Sequence, residues 1–298
     1  MTDSEHRCGY VALVGRPNVG KSTLLNRLVG QKVSITAHRP QTTRHRILGI
    51  HSRAEAQIIY VDTPGIHEGQ QHAINRLMNR AANSAMDDVD VVVFLVDGLN
   101  WTPLDEQIAE RATSEAKCCL LAINKVDKLP DKSVLLPHLE ELQTKLNCED
   151  FIPISARRGS NVNALEEAVI KHLPKAAPIF PDDQITDRSM RFVASEIVRE
   201  KLTRRLGQEV PYQLTVEIES FEERRKSAVV GAVIWVERDS HKSIVIGKQG
   251  RILKEIGSAA RIDLEVQLGK KVHLSLWVKV RSGWSDNETL LRRFGYEP

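Results

Sequence analysis

The chain has 298 residues, 41% of them hydrophobic and 27% charged, with a formal net charge of +3. At roughly 100–200 residues per domain it has room for two domains with a core each, which excludes a peptide or a single small module. No run of about 18 apolar residues occurs, which excludes a membrane-spanning helix, and Met1-Thr2-Asp3-Ser4-Glu5-His6-Arg7 is acidic where a signal peptide is basic and then apolar, so a cytoplasmic location is expected.

The first apolar run, residues 9–14, reads as a strand. It leads into Gly15-Arg16-Pro17-Asn18-Val19-Gly20-Lys21-Ser22, which fits GxxxxGK[ST] and opens an amphipathic stretch from Thr23. Strand, loop and helix in that order let the backbone around Gly15, Asn18, Val19, Gly20 and Thr23 cradle phosphates, with the positive end of the helix dipole behind them. Lys21 can neutralise β/γ oxygens and the Ser22 hydroxyl can ligate Mg²⁺. The run 57–61 is a second strand and ends in Asp62-Thr63-Pro64-Gly65. A carboxylate at a strand's carboxyl end can hold Mg²⁺ through water, and Gly65 lets a backbone N–H reach the γ-phosphate.

Run 89–96 is a third strand, and run 120–123 a fourth that ends in Asn124-Lys125-Val126-Asp127. An ionised Asp127 only accepts hydrogen bonds, so it suits the ring N–H and exocyclic amine that guanine presents on one edge and adenine does not. A buried carboxylate left unpaired costs several kcal/mol, so ATP should be rejected. Asn124 can meet another base edge or brace the phosphate loop, and the Lys125 stem can lie over the ring. The last run, 151–154, precedes Ser155-Ala156-Arg157, which places a backbone N–H where it can donate to the guanine carbonyl. Leu135, Leu136, Leu139, Leu142 and Leu146, then Leu165, Ala168, Val169 and Leu173, have helical spacing between the strands. Such alternation implies an α/β domain with a mostly parallel sheet, helices on both faces and its ligand at the strands' carboxyl ends.

Pro174, Pro178 and Pro181 forbid a continuous helix. Residues 175–184 therefore read as a linker between a domain over 7–174 and a smaller α+β domain over 185–298. The second domain reads as helix 188–206, strands 212–222, 227–237 and 243–246, helix 251–268, strand 271–280 and helix 286–293. Charge divides unevenly: residues 1–180 carry 21 Lys+Arg and 21 Asp+Glu, residues 181–298 carry 21 and 18, and residues 241–281 alone carry nine and three. That local excess points to a polyanion partner. Within it, Ile244-Val245-Ile246-Gly247-Lys248-Gln249-Gly250-Arg251 reads as strand, GxxG turn and helix. Glycines around a basic pair let a nucleic-acid backbone approach the main chain, which makes Ile246, Gly247, Lys248, Gln249, Gly250, Arg251 and Lys254 candidate RNA contacts. Trp277 alternates with apolar neighbours and is expected in the core. Cys8, Cys118, Cys119 and Cys148 lack CxxC or metal spacing and read as reduced core thiols.

The four first-half motifs, in this order and each at a strand end, resemble the P-loop GTPases over residues 8–174. The resemblance implies GTP and GDP as ligands, Ser22, Thr43 and Asp62 around Mg²⁺, and Lys21, Thr43, Asp62 and Gly65 as the catalytic set, with Thr43 preferred over Thr42. Ile66 stands where Ras-like members carry the glutamine that orients water, so slow hydrolysis is expected unless another group helps. In the branch this loop resembles, an asparagine at the position of Asn18 helps bind K⁺ near the phosphates. The second domain resembles a type II KH fold.

A P-loop GTPase followed by a KH domain resembles the Era-type GTPases of bacterial ribosome assembly. Ile74-Asn75-Arg76-Leu77-Met78, Trp101-Thr102-Pro103, Lys171-His172-Leu173-Pro174 and Trp277-Val278-Lys279-Val280-Arg281-Ser282-Gly283-Trp284 also carry the likeness. It implies a monomer that binds 16S rRNA near its 3′ end and the small ribosomal subunit, more strongly with GTP bound, and a peripheral fraction at the inner-membrane surface. The competing reading is a membrane-surface signalling GTPase whose basic C-terminal face meets anionic lipid. The GxxG turn weighs for RNA.

Overall fold

The computed structural model describes residues 6–37, 39, 42–65, 73–84, 89–207 and 209–296. The chain forms two compact units: Met1–Ser34, Thr43–Glu68 and Met78–Asp187, and then Ile35–Thr42, Gly69–Leu77 and Arg188–Pro298.

The first unit is built from strands β1 (Arg7–Val14), β2 (Ile47–Ser52), β3 (Ala56–Asp62), β4 (Val91–Asp97), β5 (Cys119–Asn124) and β6 (Asp150–Pro153), in the sheet order β2-β3-β1-β4-β5-β6. Every neighbouring pair is parallel except β2 with β3. Helices α1 (Lys21–Val29), α2 (Ala73–Ser84), α3 (Pro103–Glu115), α4 (Leu135–Lys145) and α5 (Val162–His172) complete the first half of the chain. Side chains of β1, β3, β4 and β5 alternate into two cores, one holding Leu13, Leu24, Val93 and Leu165 and the other Phe94, Ile108, Leu121 and Leu142. This is the doubly covered sheet expected, with one strand more: β2 escapes a pattern search because it is an edge strand, short, and interrupted by Gly49. The glycine is needed there, since a Cβ would sit 2.5 Å from Leu25 of α1.

The proline-rich stretch after α5 lies along this unit. Buried Gln57 accepts from the N–H groups of Ile179 (2.8 Å) and Phe180 (2.9 Å) and donates to the Phe180 carbonyl (2.8 Å). Ile50 of β2 donates to the Ile185 carbonyl at 2.9 Å. The change of unit falls after Asp187.

The second unit contains α6 (Met190–Arg205), β7 (Leu214–Glu223), β8 (Ser227–Val236), α7 (Asp239–Ile246), α8 (Arg251–Leu268), β9 (Lys271–Val280) and α9 (Glu288–Arg293). Its sheet runs β7-β8-β9, antiparallel then parallel. A parallel pair needs a crossover, and α7 with α8 provides it. Residues 243–246, expected as a strand, are therefore the end of a helix. Ile244-Val245-Ile246 has strand composition, but His241 and Val245 are four apart and bury one helical face, and the Lys242 amide closes the first turn on the Arg238 carbonyl at 3.1 Å. Trp277 is also not in the core: the inward phase of β9 is Val272, Leu274, Leu276 and Val278, which leaves Trp277 49% exposed on the other face.

Two first-half segments are part of this unit. The Thr36 amide donates to Glu200 of α6 (2.9 Å), the Arg204 guanidinium donates to the Thr36 carbonyl (2.8 Å), and Arg199 donates to the Thr42 carbonyl. Ala73, Ile74 and Leu77 pack with Trp284, Leu291 and Tyr296, and the Ala73 amide donates to Asp286 at 2.9 Å. Among the described residues no helix is long and apolar enough to cross a membrane.

Candidate functional site

The loop between β1 and α1 closes on itself. Lys21 is buried, and its ammonium donates to the carbonyls of Gly15 (2.8 Å) and Arg16 (3.2 Å). Gly20 has φ +113°, and a Cβ there would fall 2.3 Å from the Asn124 amide, so only glycine brings this backbone so close to the base-side loop. The loop is tied outward by Arg16, which donates to Asp105 (3.1 Å), the residue that also completes the capping box of α3 with Thr102. Gly65 lies against Pro17 on the same loop. Ile66 lies outside the described residues.

At the foot of the loop sits a cluster of hydroxyls around one carboxylate. Asp62 is fully buried; its Oδ2 accepts from Ser22 (2.8 Å) and Ser34 (2.8 Å), with Thr43 at 3.4 Å. The Thr43 and Ser22 hydroxyls are 2.7 Å apart, whereas the Thr42 hydroxyl donates to the Arg39 carbonyl at 2.6 Å. Asp62 Oδ1 is buried with no hydrogen-bond partner among the described residues. Burial pushes the Asp62 carboxyl up, against the pull of Lys21 and the hydroxyls. An orphaned carboxylate oxygen amid hard hydroxyl donors, in a site that penalises uncompensated negative charge, fits Mg²⁺. Ser34 escapes sequence reading because it reaches Asp62 only when Asn26 of α1 clamps its backbone, accepting from the Val33 and Ser34 amides at 2.9 Å each.

Burial brings the Lys21 ammonium down to about 8. A polyphosphate placed beside it favours the charged form, so binding takes up a proton once the pH exceeds that value. GTP affinity is therefore expected to be nearly flat around pH 7 and to fall as pH rises through about 8 and 9, by roughly tenfold per unit at most. Isothermal titration at several pH values checks this, and an affinity constant up to about pH 10 contradicts it.

The base-side loops interlock. The Asn124 amide donates to the Val19 carbonyl (2.7 Å), and its oxygen accepts from the Ala156 N–H (2.9 Å), so Asn124 braces the phosphate loop against the turn after β6. Lys125, in a left-handed backbone conformation (φ +66°), donates to Asp97 (2.7 Å) and to the Asn18 carbonyl (2.6 Å), which fixes its ammonium between the two. Asp97 is legible only through the β4–β5 register, which pairs it with Asn124. Asp127 accepts from the Ser155 hydroxyl at 2.6 Å, and this bond holds its carboxyl below the usual range, ionised as base recognition requires. Arg157 is exposed, and its carbonyl accepts from Arg27 at 2.7 Å.

The GxxG turn joins two helices, α7 and α8. Gly247 has φ +72°, and a Cβ would meet Ile252 at 2.6 Å. Lys248 and Gln249 are exposed at the tip, and Ile246 packs on the core of the unit. Beside the turn a groove of about 400 Å³ runs between α8 (Leu253, Lys254, Gly257, Arg261) and β9 (Leu274, Leu276). Lys254 is exposed at its edge, while Arg251 is paired with Glu255 at 3.0 Å. The β9 floor of this groove has no charge or glycine signal in the sequence.

A family model described as a 50S ribosome-binding GTPase matches residues 10–125, and a KH domain model matches residues 209–285. GTPase Era of Pseudomonas putida is 54% identical over 297 residues, covering 99% of this chain and 98% of that protein. GTPase Era of Pseudomonas fluorescens is also 54% identical, covering 99% of each. A crystal structure of a point variant of Aquifex aeolicus Era bound to GDP·AlF4⁻ is 40% identical with a TM-score of 0.93, covering 98% of this chain and 100% of that one. The same identity, TM-score and coverage hold for Era in complex with MgGDPNP and nucleotides 1506–1542 of 16S ribosomal RNA.

Proposed function

The chain belongs to the Era family of GTPases, and from that premise we propose that it hydrolyses GTP with Mg²⁺ and, in its GTP state, binds 16S ribosomal RNA near the 3′ end as a cytoplasmic assembly factor of the small ribosomal subunit. One observation carries the coupling. Ile35–Thr42 and Gly69–Leu77, which lead into Thr43 and away from Gly65, belong to the same compact unit as the GxxG fold. Residues that sense a γ-phosphate are thus continuous in the chain with segments held by α6 and by Asp286. Whatever orders or releases the first shifts the equilibrium of the second.

The site residues divide the work. Gly15, Asn18, Val19, Gly20 and Thr23 hold the phosphates, with Lys21 compensating charge. Ser22, Thr43 and Asp62 would hold Mg²⁺, which when bound would neutralise developing charge on the phosphoryl oxygens. Asp127 accepts from the guanine edge, Ser155 aligns Asp127, and Asn124 and Lys125 lock the two loops together. On the RNA side, Lys248, Arg251 and Lys254 meet phosphates while Gly247 and Gly250 let the backbone come close, in a groove sized for about four nucleotides.

Asn18 has a left-handed backbone (φ +66°), an exposed side chain, and a carbonyl held by Lys125. Its carbonyl is taken by Lys125, so it is the exposed side-chain oxygen that would meet a K⁺ ion at the phosphates in place of the missing glutamine. Steady-state phosphate release tests both points: GTP turnover is expected to exceed ATP turnover by at least about 10³-fold and to be faster in potassium than in sodium buffer. Comparable ATP turnover overturns the base assignment, and equal rates in the two salts overturn the role of Asn18.

A further inference from the structure

Two thiols lie side by side in the first unit, away from the nucleotide loops. Cys119 opens β5 and is buried, while Cys148 is half-buried in the irregular stretch between α4 and β6; their sulfurs are 3.2 Å apart. The Glu149 amide donates to the Cys119 carbonyl at 2.8 Å, so the backbone itself holds Cys148 beside its neighbour. All four cysteines are free thiols.

We propose that Cys119 and Cys148 are a reversible dithiol–disulfide site, closed by a peroxide and reopened by a dithiol reductant. The sulfurs have to move from 3.2 Å to about 2.05 Å. Cys148 stands on backbone outside any helix or strand, so the approach can be made from its side while β5 keeps its place in the sheet.

The two thiols are unlike. Cys119 beside it holds Cys148 below the ordinary thiol value, and the same contact together with burial holds Cys119 well above it. Cys148 is half-buried where Cys119 is buried, so peroxide reaches Cys148 first: it is the reacting thiolate and Cys119 the resolving thiol. The Cys148 thiolate attacks one oxygen of hydrogen peroxide and the O–O bond breaks; Cys148 becomes a sulfenic acid, and the departing hydroxide takes a proton to become water. Cys119 sulfur then attacks the Cys148 sulfur and the S–O bond breaks. The disulfide forms, and the second hydroxide leaves as water with the Cys119 proton. Two electrons have passed from the thiol pair to the peroxide.

Cys118 is excluded by the pleat. Its side chain packs on the core that contains Val91 and Leu120, whereas Cys119 and Cys148 belong to the core on the other face. Burial and the carboxylates of Glu149 and Asp150 also push the Cys118 thiol up to about 11. Cys119 is five residues from Asn124, or about 17 Å along a strand. The bond would therefore staple the far ends of β5 and β6, the strands that carry the base-reading loops, without touching those loops. A disulfide of this kind in a cytoplasmic protein is a transient state rather than a structural one.

Treating the full chain with hydrogen peroxide, alkylating it and mapping its peptides tests the proposal. The expected result is a Cys119–Cys148 cross-link that dithiothreitol reverses, that survives in Cys118→Ser and disappears in Cys148→Ser, with GTP hydrolysis of both unoxidised variants unchanged. The oxidised protein is also expected to melt a few degrees higher than the reduced one. Cys148 carried to the sulfinic acid while Cys119 still alkylates overturns the proposal, and so does a Cys118–Cys148 bond.

Discussion

Asp127→Asn is expected to weaken GTP binding on the order of 10²–10⁴-fold while leaving the fold intact. The carboxylate is held in place by the Ser155 hydroxyl at 2.6 Å and stays ionised, so on the proposed function it would offer acceptors to guanine's two donors. An amide replaces one acceptor with an N–H₂ group and sets donor against donor. The loss of a charge-assisted bond, about 1.5–3 kcal/mol, adds to a polar group left unpaired, about 1–3 kcal/mol. A xanthine nucleotide, which presents a carbonyl where guanine presents its amine, should bind the variant more tightly than GTP does. Equilibrium titration with both nucleotides checks the prediction, and unchanged GTP affinity would show that the base is read elsewhere.

The second large effect concerns RNA. Gly247→Asp combined with Lys248→Asp is expected to lower RNA affinity by about 10²-fold or more, with GTP hydrolysis unchanged. A side chain at Gly247 must occupy a backbone with φ +72° and push aside Ile252, whose atoms would be 2.6–2.9 Å from the new Cβ. That change reshapes the turn. The two substitutions also replace one positive charge with two negative ones where phosphates are to pass. Lys248→Asp alone keeps the turn and isolates the electrostatic part, about tenfold, with a shallower salt dependence. Gel shifts at several salt concentrations separate the two, and wild-type affinity in the double variant contradicts the assignment of this turn.

Much of the nucleotide site is legible in the sequence because its groups sit at strand ends beside glycines whose spacing is fixed by the phosphates. The partners that complete it are not. Ser34 comes to Asp62 through a clamp by Asn26, and Asp97 comes to Lys125 through sheet register. Both are long-range facts with no local signal. The misread elements have physical causes as well. Ile244-Val245-Ile246 is β-branched, but a parallel β8–β9 pair demands a crossover helix at that point. Trp277 falls on the outer phase of β9, and alternation alone does not say which phase faces the core. The membership of Ile35–Thr42 and Gly69–Leu77 in the second unit rests on Glu200, Arg204 and Asp286, distant in sequence from the segments they hold.

On the proposed function, that membership is what would make RNA binding depend on nucleotide. The direct measurement is crosslinking of the full chain to a fragment of the 3′ end of 16S ribosomal RNA, with Mg²⁺ and either a non-hydrolysable GTP analogue or GDP bound. RNA affinity at least about tenfold higher in the GTP-analogue state is the expected result, a coupling of about 1.4 kcal/mol. Equal crosslinking in the two states contradicts the coupling.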